Sequence, residues 1–170
     1  MCHDMLTLRP FAPSDQSRIL EILTDTTVNQ TYMLPDFEKR EDAISLFNRL
    51  MQLSMDENRY VCCIALNGKA IGFLNDVEIK NGIIELGYVI HPDSQGHGYM
   101  TCTLWTAITE LFELGYREVI CGAFEENKAS QRVMEKCGMK RMKKTQIIEY
   151  RNQTHRCVYY SRKADQEVLE

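Results

Sequence analysis

The chain has 170 residues, 44% of them hydrophobic and 26% charged, a balance that suits one globular domain and excludes a disordered or fibrous chain. Its net charge of −4 argues against direct nucleic-acid binding and suits a cationic substrate. No stretch approaches the ~18 apolar residues of a membrane span, so no membrane partner is expected.

"HDMLTLRPF" reads as a short strand closed by Pro10. "SDQSRILEILTD" opens on Ser14 as an N-cap candidate, with Ile19, Ile22 and Leu23 at helical spacing. After the stretch around Tyr32-Met33-Leu34-Pro35, "EKREDAISLFNRLMQLSM" places Ile44, Phe47, Leu50 and Met51 on one helical face. The pattern then changes to three β-rich runs, "YVCCIAL", "AIGFLNDVEI" and "IIELGYVI", joined by Asn67-Gly68 and Asn81-Gly82. Asn-Gly between such runs predicts tight hairpins, because both turn residues must take positive φ. A helix is predicted from Tyr99 to Leu114 with Gly115 as its stop, and "EVICGAF" reads as a buried strand. "NKASQRVMEKCG" reads as a helix capped by Asn127 and ended by Gly138. Two last strands, "KTQIIEY" and "RCVYYS", flank a polar turn at Arg151 to Thr154. The order predicts an α+β fold with a mixed, mostly antiparallel central sheet flanked by helices. Residues 1–163 read as a single domain and 164–170 as a frayed acidic tail.

The seven cysteines include no Cys-x-x-Cys, their number is odd, and no signal peptide precedes them. They read as reduced thiols, mostly small core residues, in a cytoplasmic protein. His91 and His97 match no zinc spacing, so no metal is expected.

The stretch "IHPDSQGHGYMT" holds the sharpest signal: a strand hands over to a helix through Gln95, Gly96 and Gly98. A dinucleotide fingerprint requires a third glycine where Thr101 stands, and a P-loop requires a Gly-Lys-Ser/Thr that is absent. Two readings remain for the residues themselves. One is a plain turn using glycine for geometry; the other is a pyrophosphate held on main-chain amides at the start of the next helix, with the Gln95 amide adding a donor. Asn127 and Ser130, opening a second helix directly after a strand, read alone as a helix cap.

In combination these features resemble the GNAT superfamily, the GCN5-related N-acetyltransferases, and within it the branch of Rim-type ribosomal-protein N-acetyltransferases. The family's Gln/Arg-x-x-Gly-x-Gly/Ala motif is matched by Gln95-Gly96-His97-Gly98-Tyr99-Met100, with Met100 departing from the usual small residue. Asn127-Lys128-Ala129-Ser130 followed by Gly138-Met139 is similar to its second motif, with Met139 in place of Phe. The likeness in element order runs from Met5 to about Ser161.

The resemblance implies acetyl-CoA as co-substrate, with its pyrophosphate on Gln95 to Met100 and its pantetheine arm paired to the strand at Val89 and Ile90, like an added strand. Gly87 in that strand reads as a bulge or a close approach. Asn127 and Ser130 complete the implied cofactor contacts, and the Val89 N–H is the expected oxyanion donor. The implied reaction is direct attack by an amine on the thioester. Glu149 and Glu85 are the candidate bases, and Ser130 the candidate proton donor to the thiolate. The acceptor decides how much a base matters. An α-amine with pKa near 7.8 is about one part in seven neutral at pH 7 and a lysine about one in 2,500, a gap of about 3.5 kcal/mol. Tyr32, Met33, Leu34 and Phe37 are the implied acceptor-lining residues. The expected partner is an amine acceptor, either a protein N-terminus or a small molecule, and the expected state a monomer or homodimer. The competing reading is a non-catalytic acyl-CoA-binding module on the same fold. The basic cluster Lys136, Lys140, Arg141, Lys143 and Lys144 reads as a solvated face, or as a contact for the cofactor's ribose phosphate or a ribosomal partner.

Overall fold

The computed structural model describes residues 5–165. Seven strands form one mixed sheet in the order β1-β2-β3-β4-β5-β7-β6: β1 Leu6–Arg9, β2 Val61–Leu66, β3 Lys69–Lys80, β4 Ile83–Ile90, β5 Glu118–Phe124, β6 Lys140–Tyr150 and β7 Gln153–Lys163. The helices are α1 Gln16–Leu23, α2 Val28–Thr31, α3 Arg40–Leu53, α4 Tyr99–Glu113 and α5 Lys128–Lys136. The expected order holds, with α2 and two 3₁₀ turns added. Residues 166–170 of the expected tail, and Cys2, lie outside the described residues.

The chain divides into two compact units, Met1–Asp76 with Gly87–Thr103, and Val77–Leu86 with Leu104–Glu170. In the first unit β1 and β2 pair antiparallel, Leu6 opposite Leu66, and β2 pairs with β3 through the Asn67-Gly68 turn. Both turn residues take positive φ, 51° and 77°, as the hairpin requires. Ile19, Ile22 and Leu23 of α1 and Ala43, Phe47 and Leu50 of α3 bury their stripes in one cluster with Phe11 and Phe73. The Phe11 ring meets Phe47 edge-on at 6.0 Å. Ser14 is not the cap expected of it. A 3₁₀ turn over Pro13–Asp15 precedes α1, and the buried Asp15 carboxylate takes the Ala12 N–H at 2.8 Å and both Arg9 guanidinium nitrogens at 2.7 and 2.8 Å. A side chain with two acceptor oxygens serves a charged strand end and a turn at once, which a serine hydroxyl cannot do.

In the second unit β4 and β5 pair in parallel, with Glu85 opposite Ile120. β5 pairs antiparallel with β7, and β7 with the edge strand β6. The last hairpin is tighter than expected. Arg151 and Asn152 take φ of 51° and 58°, so β6 and β7 are joined by two residues and each strand is longer than its apolar run. Lys140 to Lys143 extend β6 without an apolar pattern, because an edge strand needs only its main chain to pair. Leu104, Ala107, Ile108 and Leu111 of α4 are fully buried, and α4 ends where Gly115 takes φ of 95°.

Candidate active site

β4 leads to the glycine turn through a short, rigid connection. The His91 N–H donates to the Ile71 carbonyl at 2.7 Å, and its imidazole Nδ1 accepts the Asp93 N–H at 3.1 Å. Nε2 lies 3.2 Å from the Glu21 carboxylate, so this buried histidine fastens the loop to α1. Pro92–Ser94 form a 3₁₀ turn whose carbonyl at Pro92 accepts the Gln95 N–H. Gly96 and Gly98 then take φ of 76° and 80°, values that L side chains avoid. Among the described residues, no atom beyond the glycine's own chain neighbours lies within 4 Å of where a Cβ on either would stand. Residues 95–98 are exposed, and α4 begins at Tyr99, with the Gly98 carbonyl accepting the Cys102 N–H at 3.1 Å. The result is a bare stretch of main chain leading into the positive end of a fifteen-residue helix. Gln95 turns its side-chain amide back to the Ile90 carbonyl at 3.4 Å, so it braces the turn. His97 is exposed and stacks on Tyr99 at 5.4 Å, while Met100 is buried beneath the turn.

The strand before the turn fixes the direction of Val89's main chain. The Val89 carbonyl lies 2.3 Å from where a Cβ on Gly72 of β3 would stand, so only glycine admits it. In an extended strand the N–H and C=O of one residue point to the same side. Val89 therefore presents its main chain to β3, in phase with the His91 bond to Ile71. Ile90, the next residue, presents its main chain to the opposite side of β4. Gly72 of β3 makes a close approach of its own to β4. A glycine inside the β3 run is the only sign of it in the sequence, and strand period alone does not set the phase.

Among the acceptor-lining candidates, Leu34 is buried, and Tyr32 and Phe37 pack on the first unit's core. The Tyr32 hydroxyl donates to Asn75 and its ring meets Phe73 edge-on at 5.8 Å; burial pushes its pKa up. Met33 is 50% exposed. Leu34 belongs to the first unit's core cluster.

In the second unit Asn127 caps α5 as expected, its Oδ1 accepting the Ser130 N–H at 3.1 Å, and Ser130 is half-buried. Glu149 on β6 is exposed and its carboxylate accepts the Thr154 hydroxyl at 2.6 Å. Glu85 differs. It is half-buried, accepts no hydrogen bond among the described residues, and burial raises its pKa against the pull of Lys144. It faces a cavity of about 190 Å³ with Ile83, Ile120, Glu78, Lys80 and Lys144. Neither Asn127 nor Glu149 lines that cavity.

Burial lifts the thiols of Cys63 (pushed up to about 12), Cys121 and Cys157, which makes them poor nucleophiles. The six described cysteines are all free thiols.

A model of the acetyltransferase (GNAT) domain matches residues 5–140. The chain belongs to the GNAT family. As a member it is an acetyl-CoA-dependent N-acetyltransferase. No curated protein matches its sequence significantly. Among solved structures, a GNAT-family acetyltransferase from Bacillus anthracis is 22% identical with a TM-score of 0.81, over 94% of this chain and 95% of that one. RimL, a ribosomal L7/L12 α-N-protein acetyltransferase in complex with coenzyme A, is 18% identical with a TM-score of 0.83, over 98% of each chain. The microcin C7 self-immunity acetyltransferase MccE, in complex with acetyl-CoA and AMP, is 19% identical with a TM-score of 0.80, over 95% and 94%. These likenesses establish a shared GNAT fold. The turn at residues 95–100 fits the diphosphate of such a co-substrate, because its main chain is open on the side where two side chains would otherwise stand.

Proposed function

We propose that the chain transfers the acetyl group of acetyl-CoA to a primary amine, a protein N-terminal α-amine or a small-molecule amine, by direct attack. Residues 1–163 act as one domain, in a cytoplasmic monomer or homodimer. The observation that carries the reading is the open turn at Gly96 and Gly98, running into the N-terminus of α4. Gly96 to Met100 hold the diphosphate on main-chain amides, on a turn braced by Gln95, whose own N–H bonds the Pro92 carbonyl. Tyr88 and Ile90, rather than Val89, align the pantetheine arm and the acetyl oxygen. Asn127 and Ser130 close the cofactor contacts, and Ser130 returns a proton to the leaving thiolate.

The base takes the ammonium proton. Glu85 suits that work, since its raised pKa brings it nearer to that of an amine and, among the described residues, no other group donates a hydrogen bond to its oxygens. Glu149 is the second candidate, already holding the Thr154 hydroxyl. Met33, half exposed, with the partly buried Tyr32 and Phe37, supplies the acceptor side of the first unit. RimL is named for acting on a ribosomal protein N-terminus, which supports an α-amine acceptor here.

Thiol release from acetyl-CoA, measured with a panel of peptides, amino acids and polyamines, tests the proposal. Turnover with at least one amine class is expected. Tight acetyl-CoA binding with no turnover on any amine would make the chain a binding module instead.

A further inference from the structure

The cavity of the second unit holds two opposite charges that do not meet. Glu85 rises from β4 beside Ile120 of β5, and Ile83 and Ile120 form the apolar floor. Lys144 comes from the irregular stretch of β6 between Arg141 and Thr145. Its ammonium stands 4.2 Å from the centre of the Tyr159 ring, a contact that holds the cation without neutralising it. The Tyr159 ring is itself fixed: it is 5% exposed and its hydroxyl donates to Gln146 at 2.8 Å. Among the described residues neither Glu85 nor Lys144 has an ion-pair partner, although the field of Lys144 reaches Glu85. Lys144 is itself exposed, at the mouth of the cavity, where Glu78 and Lys80 repeat the two signs.

A half-buried carboxylate without a donor is costly. A charged pair that shared one cavity without a ligand to bridge it would gain by closing to contact. Kept apart, the two charges match a ligand that brings an ammonium to Glu85 and an anion to Lys144. The volume of about 190 Å³ is room for about six waters at ~30 Å³ each, which suits a short molecule. We propose that this cavity is the acceptor subsite and that it selects small aminocarboxylates, with Lys144 reading the acceptor's carboxylate while Glu85 receives its ammonium. This rests on the acetyltransferase reading above, which leaves the acceptor open between peptide termini and small amines. Lys144 is the specificity residue; it takes no part in the chemistry.

The experiment pairs acceptors that differ only in the anion, 4-aminobutyrate against its amide and L-leucine against L-leucinamide, in the wild-type protein and in Lys144→Gln and Lys144→Glu. Each pair is read twice, as kcat/KM for acetyl transfer and as thermal stabilisation by the acceptor alone. The wild-type protein should favour at least one carboxylate over its amide by tenfold or more. Lys144→Gln should erase that preference through KM, with the amide little changed, and Lys144→Glu should turn preference toward 1,4-diaminobutane. Equal use of carboxylate and amide by the wild-type protein in both readouts, or a preference that survives Lys144→Gln, overturns the proposal. If no amine is acetylated but stabilisation still depends on the carboxylate and on Lys144, the subsite stands and the acetyl-transfer reading falls.

Discussion

Gly72→Ala isolates the contact that sets the phase of β4. The new Cβ would stand 2.3 Å from the Val89 carbonyl oxygen and 3.0 Å from the Ile90 Cα. Both are main-chain atoms, so no rotamer change relieves them, and β4 must retreat from β3 by about 1 Å to restore an ordinary contact. Overpacking of this kind costs roughly 1–3 kcal/mol. The same retreat stretches the 2.7 Å bond from the His91 N–H to the Ile71 carbonyl, a further loss of about 1 kcal/mol. A total near 3 kcal/mol corresponds to a fall in Tm of roughly 6–12 °C for a chain of this length. Thermal unfolding followed by far-ultraviolet circular dichroism measures it. Because the shift also moves Tyr88 and Ile90, KM for acetyl-CoA should rise in the same variant at temperatures where it remains folded. Gly96→Ala is the contrasting case. Among the described residues, no atom beyond its chain neighbours obstructs its Cβ, but φ of 76° costs a side chain about 1–2 kcal/mol, so the Tm should fall less while KM for acetyl-CoA rises. A Gly72→Ala protein within 1–2 °C of the wild type would refute the argument, since that is less than the shift expected from about 1 kcal/mol.

Ser130→Ala and Glu149→Gln should each lower kcat more than tenfold with little change in acetyl-CoA affinity if these groups move protons; wild-type rates remove them from the mechanism. Glu85→Gln should lower kcat and also change stability with pH. A raised carboxylate pKa means the folded state holds its proton more tightly than the unfolded one. The stability this gives is complete below the ordinary carboxylate value and is lost as pH rises through the raised one. The glutamine variant should therefore gain Tm over the wild type at pH 8 and lose that advantage at pH 4, and the reverse order would contradict the burial of Glu85. Asp15→Asn should cost roughly 2–4 kcal/mol, because the buried carboxylate holds Arg9 and the Ala12 N–H together; urea unfolding at pH 7 reads the loss. Burial alone would raise the Asp15 pKa, but the Arg9 and Ala12 hydrogen bonds hold it below the ordinary range, so the contribution of Asp15 disappears as pH falls through that lowered value.

Where local chemistry decides the structure, the residues made it legible. Asn67-Gly68 and Asn81-Gly82 announced their hairpins because few other pairs accept positive φ twice. Asn127 and Gly138 marked the ends of α5 for similar reasons, a side-chain acceptor at one end and a left-handed residue at the other. The turn at Gly96 and Gly98 was readable in the same way, and with it the family. The last hairpin was less so: no glycine marks it, and although Asn152 accepts the left-handed conformation, Arg151 holds it against its preference because the paired strands on either side require it.

By itself the sequence determined the order of elements, the turns and the main-chain cradle, because each depends on residues within a few positions of one another. Tertiary structure decided which face of β4 meets β3, the burial of Leu34, and the standing apart of Glu85 and Lys144 around one cavity. Those outcomes join residues tens of positions apart, and they follow from register, packing and desolvation, quantities that no single stretch of chain carries.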